Sequence, residues 1–303
     1  MIDIINGLNT TWKAGRNFGP ATTRKFLRRL CGIHKDNHKF QLGESWQNVE
    51  PNLPENFDAR KNWPNCKRIG KKFVIKAIVD PAGLFGAVGA MSDRLCIASN
   101  GHYQNDVSAQ DLLTCGDSGG CNGGYPSLAW TYWESNGLVT GGLYGSNDGC
   151  RPYSIKPCEH HMKGKRPPCS GEQDTPQCVE MCDKSYNGSY SSDKSYAKDV
   201  YSVPNNMEQI MTEIYRHGPV EGAFRVYADF LNYKSGVYKQ HSKDHIGDHA
   251  IKILGWGVEN GLPYWLVANS WNSDWGDNGY FKILRGTDEC RIERYINAGL
   301  PKI

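Results

Sequence analysis

Ala250-Ile251-Lys252-Ile253-Leu254-Gly255-Trp256 is an apolar run of strand length, and Tyr264-Trp265-Leu266-Val267-Ala268 follows it across a turn rich in Gly and Asn. Short runs of β-branched and aromatic residues bounded by turn formers read as strands. Phe224–Tyr227 lies upstream and Tyr280–Leu284 downstream with the same character, so the last third of the chain reads as a sheet. Upstream the signal changes to helix. A helix is expected around Met207–Tyr215, and a longer one from Asp80, which suits an N-cap and is followed by Pro81 at the first helical position. Leu84, Val88, Met91 and Leu95 then recur at helical spacing. Residues 100 to 200 are rich in Gly, Pro, Cys, Ser and Asn, with one helical piece at Ser127 to Ser135, and read as stapled loops. Helices first and strands later give an α+β class with the two kinds of element segregated.

A chain of 303 residues can bury a sizeable core, and 39% hydrophobic with 22% charged residues suits a folded globular protein with no membrane partner. Residues 1–50 carry a net charge of +4 within a chain whose total is +3, so a basic leader precedes a nearly neutral body. No clustered basic footprint points to nucleic acid. Pro51 and Pro54 mark a boundary behind that leader. Eleven cysteines favour disulfides formed in an oxidising compartment. A zinc site at Cys158, His160, His161 and Cys169 is the rival reading, weakened by the absence of paired Cys-x-x-Cys knuckles. No metal or other cofactor is expected. The sequons Asn9-Thr10-Thr11 and Asn187-Gly188-Ser189 fit a secretory route, although Met1-Ile2-Asp3-Ile4 opens without a signal peptide. The cysteine count favours a leader lost from the start of this sequence.

Six ordered motifs carry a resemblance to a known family. They are Thr11-Trp12-Lys13-Ala14-Gly15, Leu53-Pro54-x-x-Phe57-Asp58-Ala59-Arg60, Cys121-Asn122-Gly123-Gly124-Tyr125-Pro126, Gly149-Cys150-Arg151-Pro152-Tyr153, Pro157-Cys158-Glu159-His160-His161 and Asn269-Ser270-Trp271-Asn272-x-x-Trp275-Gly276. Together they resemble the cathepsin B branch of the papain family of cysteine peptidases. The resemblance implies a truncated inhibitory propeptide at 1–52 and a two-lobed, papain-like peptidase domain at 53–303, helical on the left and a β-barrel-like lobe on the right, with a cleft between them.

That chemistry needs a thiolate at a helix head, a histidine holding its proton and an asparagine orienting the histidine. His249 and Asn269 match the last two; taken alone they read as a histidine at the start of a buried strand and a polar residue ending one, and only their motif context makes them a site. The nucleophile has no match. Aligned without gaps, Lys76 falls at the oxyanion glutamine, Val79 at a disulfide cysteine, Ala82 at the nucleophile and Gly83 at a tryptophan. With a gap, Asp80 pairs with the aspartate before the glutamine and the nucleophile segment is deleted. In either alignment a methyl group or nothing stands where a thioester must form, and the ammonium of Lys76 lacks the geometry of the amide.

The resemblance further implies disulfides Cys66–Cys96, Cys115–Cys178, Cys150–Cys182 and Cys158–Cys169. It leaves Cys31 in the propeptide, Cys290 buried and Cys121 without its usual partner. An occluding loop is implied at about 150–169, in which His160 and His161 match the pair that receives a substrate's terminal carboxylate. Arg166 and Asp274 match an ion pair that ties this loop down, and a second anchor becomes Ile75. Gly123 and Gly124 match backbone that binds extended peptide, Trp271 the indole that shields the asparagine bond, and Tyr295 the floor of a specificity pocket where the family has glutamate. Peptide or protein ligands and cystatin-type inhibitors are the implied partners, a monomer the implied state, and a lysosome or the extracellular space the implied location. Three functions remain open: a catalytically impaired homologue that still binds peptides, an active lysosomal peptidase whose sequence is misread around 70–84, and a non-enzymatic extracellular interaction module.

Overall fold

The structure is a computed structural model that describes residues 1–70, 82–159, 166–169 and 174–303, without the side chains of Ala82 and Gly83. Two large hydrophobic cores divide the described residues, with a small third cluster at Val139, Cys150 and Tyr190. One surrounds the helix Ala82–Ala98, whose Leu84, Phe85, Val88, Met91 and Leu95 pack with Trp130 and Trp133 of the helix Pro126–Ser135. The other fills the inside of a large sheet. Helical and strand-rich layers are thus segregated, as an α+β chain requires. The expected N-cap Asp80 and first-turn Pro81 lie outside the described residues.

Nine strands join the sheet among the described residues. Its order is Trp12–Ala14, Tyr233–Tyr238, Tyr280–Leu284, Leu262–Ala268, His245–Glu259, Val220–Tyr227, Tyr295–Pro301 and Ala197–Val203, with Phe57–Asp58 pairing the long His245–Glu259 strand off this path. Pairing is antiparallel except between Tyr280–Leu284 and Tyr233–Tyr238. The helix Met207–His217 is bounded by its own sequence: the Asn206 side chain accepts from the Gln209 N–H at 3.0 Å, and Gly218 ends it at φ +98°.

The two cores meet along the helix Ala82–Ala98. Gly86 lets them approach closely, because a Cβ on it would lie 3.1 Å from the Ile251 carbonyl oxygen and 3.2 Å from Glu221 Oε1. Buried charges also cross the seam. Arg94 donates to the carbonyls of Pro219, Gly218 and Gly299 at 2.7, 3.0 and 3.1 Å and pairs with Glu213 at 2.8 Å, while Lys252 pairs with Asp93 at 2.5 Å. Breaking such a buried pair from one side costs about 3–5 kcal/mol, so these contacts fix how the cores register.

Residues 1–50 wrap the body. Trp12 is 1% exposed and sits against Tyr233 and Tyr238, where its short strand extends the sheet. Thr23 caps the helix Arg24–Arg29, and beyond it the chain passes between the two layers. Farther on, Ser45 N–H donates to Ser202 O at 3.0 Å and Ser202 N–H to Gly43 O at 2.9 Å, at the outer edge of the sheet. Gln47 and Glu50 then lie along the helix Met207–His217, held by Gln209, Glu213, Thr212 and Arg216.

All four disulfides implied by the resemblance are formed. Because Cys158 and Cys169 bond each other, the zinc reading loses both of its thiolates.

Candidate active site

His249 lies on the strand His245–Glu259, in register with Phe224, and is fully buried. Its Nε2 and Asn269 Oδ1 are 2.8 Å apart, and the same oxygen accepts the Ser270 N–H at 2.8 Å. An amide oxygen on Nε2 selects the tautomer that carries the proton there, which makes Nδ1 the basic nitrogen of the neutral ring. Trp271 covers the pair, its ring centroid 4.8 Å from that of His249. The structure therefore brings His249, Asn269 and Trp271 together from the ends of two adjacent strands.

Gly123 and Gly124 form the facing wall, in a hairpin with Gly119 and Gly120 that has Cys121 at its turn. Gly123 holds φ +103°, and a Cβ there would come within 3.0 Å of the Gly32 carbonyl oxygen, so only glycine lets a chain approach so closely. That chain is the leader. Gly124 N–H donates to Gly32 O at 2.9 Å, His34 N–H to Gly124 O at 3.2 Å, and Ile33 N–H to Asp248 O at 3.2 Å. Trp271 Nε1–H donates to Leu30 O at 3.0 Å. Leu30 and Cys31 close the turn after the helix and Gly32 holds φ +53°, so the leader bends into the cleft and pairs with both walls at Ile33.

The start of the helix Ala82–Ala98 lies between the two walls, where Leu84 lines a small pocket with Gly123 and Gly124 and Phe85 lines one with Asn269 and Ser270. Lys76 lies outside the described residues, as do Ile75 and Val79, and Ala82 enters only through its backbone. No cysteine occurs between Cys66 and Cys96, which bond each other. Outside the four disulfides stand Cys31, Cys121 and Cys290, all buried. Burial pushes the thiols of Cys121 and Cys290 above the ordinary cysteine range, the opposite of what a nucleophile needs.

Of the loop expected at 150–169, His160 and His161 lie outside the described residues. Its base is ordered by Glu159 N–H to Pro167 O at 2.8 Å and Cys169 N–H to Glu159 O at 3.1 Å. Arg166 does not make the expected ion pair with Asp274; its guanidinium donates to Asn272 Oδ1 at 3.4 Å, on the same turn but without opposite charge.

Tyr295 lines a cavity of about 200 Å³ beside the cleft, together with Ala223, Arg225, Asp248 and Arg291 of the body and Ile33 of the leader. Sequence reasoning reached Tyr295 through the resemblance and missed Arg225, Asp248 and Arg291. Only the register, which sets Asp248 opposite Arg225 and Tyr295 opposite Ala223, brings them to one place.

Comparison with known proteins adds the lineage. The profile of the papain family cysteine proteases matches residues 53–300, and that of the Peptidase family C1 propeptide matches residues 1–37. The chain is 50% identical to a cathepsin B-like cysteine proteinase of Schistosoma japonicum, with 100% of this chain and 90% of that protein covered. It is 42% identical to cathepsin B-like cysteine proteinase 6 of Caenorhabditis elegans, covering 100% of this chain and 83% of that one. Among solved structures, a procathepsin B from Trypanosoma congolense superposes with a TM-score of 0.84 at 34% identity, over 100% of this chain and 97% of that one. A digestive procathepsin L from Tenebrio molitor larval midgut shares the fold, with a TM-score of 0.72 at 24% identity over 98% and 86% of the two chains.

Proposed function

The chain belongs to the papain family of cysteine proteases, as a cathepsin B-like homologue that carries its propeptide, and from that premise we propose that it binds extended peptides in its cleft without hydrolysing them. The observation that carries this reading is the absence of any cysteine between Cys66 and Cys96. Covalent catalysis in this family needs a thiolate to attack the scissile carbonyl carbon and form a thioester, with a histidine taking and returning the proton. With Ala82 at that position there is no bond to form. Lys76 at the oxyanion position compounds the loss, because a tetrahedral intermediate needs donors aimed at its oxygen. What persists is binding geometry: the glycine wall, the Asp248 carbonyl and the His249–Asn269 pair.

In this reading residues 1–52 are the inhibitory leader, 53–303 the binding body, and His160 and His161 on the occluding loop receive a ligand's terminal carboxylate. The ligands are peptides, proteins or cystatin-type inhibitors, met in a lysosome or outside the cell. No described helix is long and apolar enough to cross a membrane. The intact His249–Asn269 geometry favours a second reading, an active peptidase whose sequence is misread around 70–84, and sequencing the transcript across residues 66–90 separates the two.

The test is turnover of dipeptidyl substrates, labelling by an epoxide that targets papain-type thiols, and saturable binding of a fluorescent extended peptide or a cystatin-like inhibitor. We expect binding with neither turnover nor labelling at residue 82. Turnover suppressed by the epoxide would overturn the proposal in favour of an active enzyme. No saturable binding of either ligand would leave the extracellular interaction module.

A further inference from the structure

We infer that the cavity beside the cleft selects an acidic side chain, through the guanidinium groups of Arg225 and Arg291. The inference deepens the peptide-binding reading above and rests on it for the claim that external ligands use this cavity. Its permanent charges are unbalanced. Lys35 of the leader and Arg225 and Arg291 of the body line it, against the single carboxylate of Asp248, with His38 adding a titratable group at the leader side. Among the described residues, neither Arg225 nor Arg291 makes an ion pair or a side-chain hydrogen bond. Asp248 stands opposite Arg225 in register, yet its Oδ1 is turned to His245 Nε2 at 3.0 Å.

The backbone at Arg291 adds a second observation. Asp288, Cys290 and Arg291 hold φ of 51°, 52° and 64°, a left-handed stretch that residues with side chains avoid. Strain of this kind persists where the surroundings impose it and is a pointer to function. Here it delivers a guanidinium to the cavity. An ionised carboxylate entering between two such groups accepts paired, charge-assisted hydrogen bonds, whereas an ammonium or guanidinium meets like charge. The leader marks where a ligand side chain would enter, because Ile33 lines the cavity while its backbone pairs with Asp248 and Gly124 on the two walls.

The leader therefore supplies a built-in probe. In the full chain, I33E and I33K lose the same isoleucine and place opposite charges at one position. At about pH 6.5, where a glutamate is ionised, hydrogen exchange at the His34 and Gly124 amides reports how firmly residues 32–34 stay docked. We expect I33E to protect these amides about tenfold more than I33K. In an R225E/R291E background the order should invert. R291G guards against a folding failure, since glycine suits φ +64° and relieves the strain; it should fold at least as well and still narrow the difference. Protection by I33K equal to or above I33E, or an order unchanged by R225E/R291E, would overturn the inference. Fluorescent peptides carrying Glu, Leu or Arg at one position, offered in excess to the I33K chain, whose leader is expected to be the least docked, form the second arm. Binding without a preference for Glu also overturns it, while the expected I33E/I33K order with no peptide binding at all counts against the peptide-binding reading instead.

Discussion

The two walls of the cleft keep their residues for different physical reasons. On the sheet wall His249 is fully buried, Asn269 Oδ1 takes two N–H groups, and Trp271 belongs to an edge-to-face cluster with Phe230 and Trp275. Each of these contacts contributes to packing whether or not a peptide bond is ever cut. On the helix wall the position proposed for the nucleophile, Ala82, opens a helix, where a thiolate would serve chemistry and little else. A lesion there leaves the opposite wall in place. Persistence of a histidine–asparagine pair is accordingly weak evidence for turnover when its own neighbours account for it.

That contrast can be broken first at the sheet wall. Trp271→Ala removes a wholly buried indole and should cost about 3–5 kcal/mol in chemical denaturation; a loss below about 1 kcal/mol would show that packing does not hold this wall. On the helix wall the sharper experiment is a pair of variants. A82C supplies a thiol and A82C/K76Q adds the oxyanion amide, and the double variant should exceed the single one by about 10²–10³-fold in kcat/KM. Equal rates would confine the lesion to one residue.

The seam between the walls gives the most gradual effect. Glu221 on the sheet accepts the Trp130 Nε1–H of the helical core at 2.7 Å, and burial pushes its carboxyl up to about 8. The unfolded group titrates near 4.5, so between these values the folded state holds the extra proton and stability falls as pH rises. One such group contributes a slope of about 1.4 kcal/mol per pH unit in that window. Glu221→Gln should flatten it, read from denaturation at several pH values; an unchanged slope would mean that the buried carboxyl is not what titrates.

Much of this arrangement was legible beforehand where side chains report their surroundings one by one. The runs at Ala250–Trp256, Tyr264–Ala268 and Tyr280–Leu284 are strands, extended at their ends by the ladder to His245–Glu259 and Leu262–Ala268 in two of the three cases. Ala197–Val203 and Tyr295–Pro301 were not separately legible. Lys198 and Asp199 face solvent, and Gly299 and Pro301 are poor strand formers, so pairing rather than composition makes these segments strands. Of the site, His249, Asn269, Trp271 and the glycine wall came from motif resemblance, because their order along the chain is fixed. Arg225 and Arg291 could not: they are 66 residues apart, and only the register and a left-handed turn bring them to one cavity. Buried charge was equally hidden, since Arg94 and Lys252 read as surface residues until their partners Glu213 and Asp93 are in place.

The strap at Gly43–Ser45 bears on solubility. Ala197–Val203 is the last strand of the sheet on its side, and Ser202 spends its N–H and C=O on the leader. An uncovered strand of this kind is a template for association with another chain. Severing the leader then does more than clear a groove: it bares a sticky margin, and a body released too early or at high concentration should self-associate, visible as light scattering that grows with protein concentration. We expect the body to stay monodisperse for as long as Gly43 and Ser45 remain paired with Ser202.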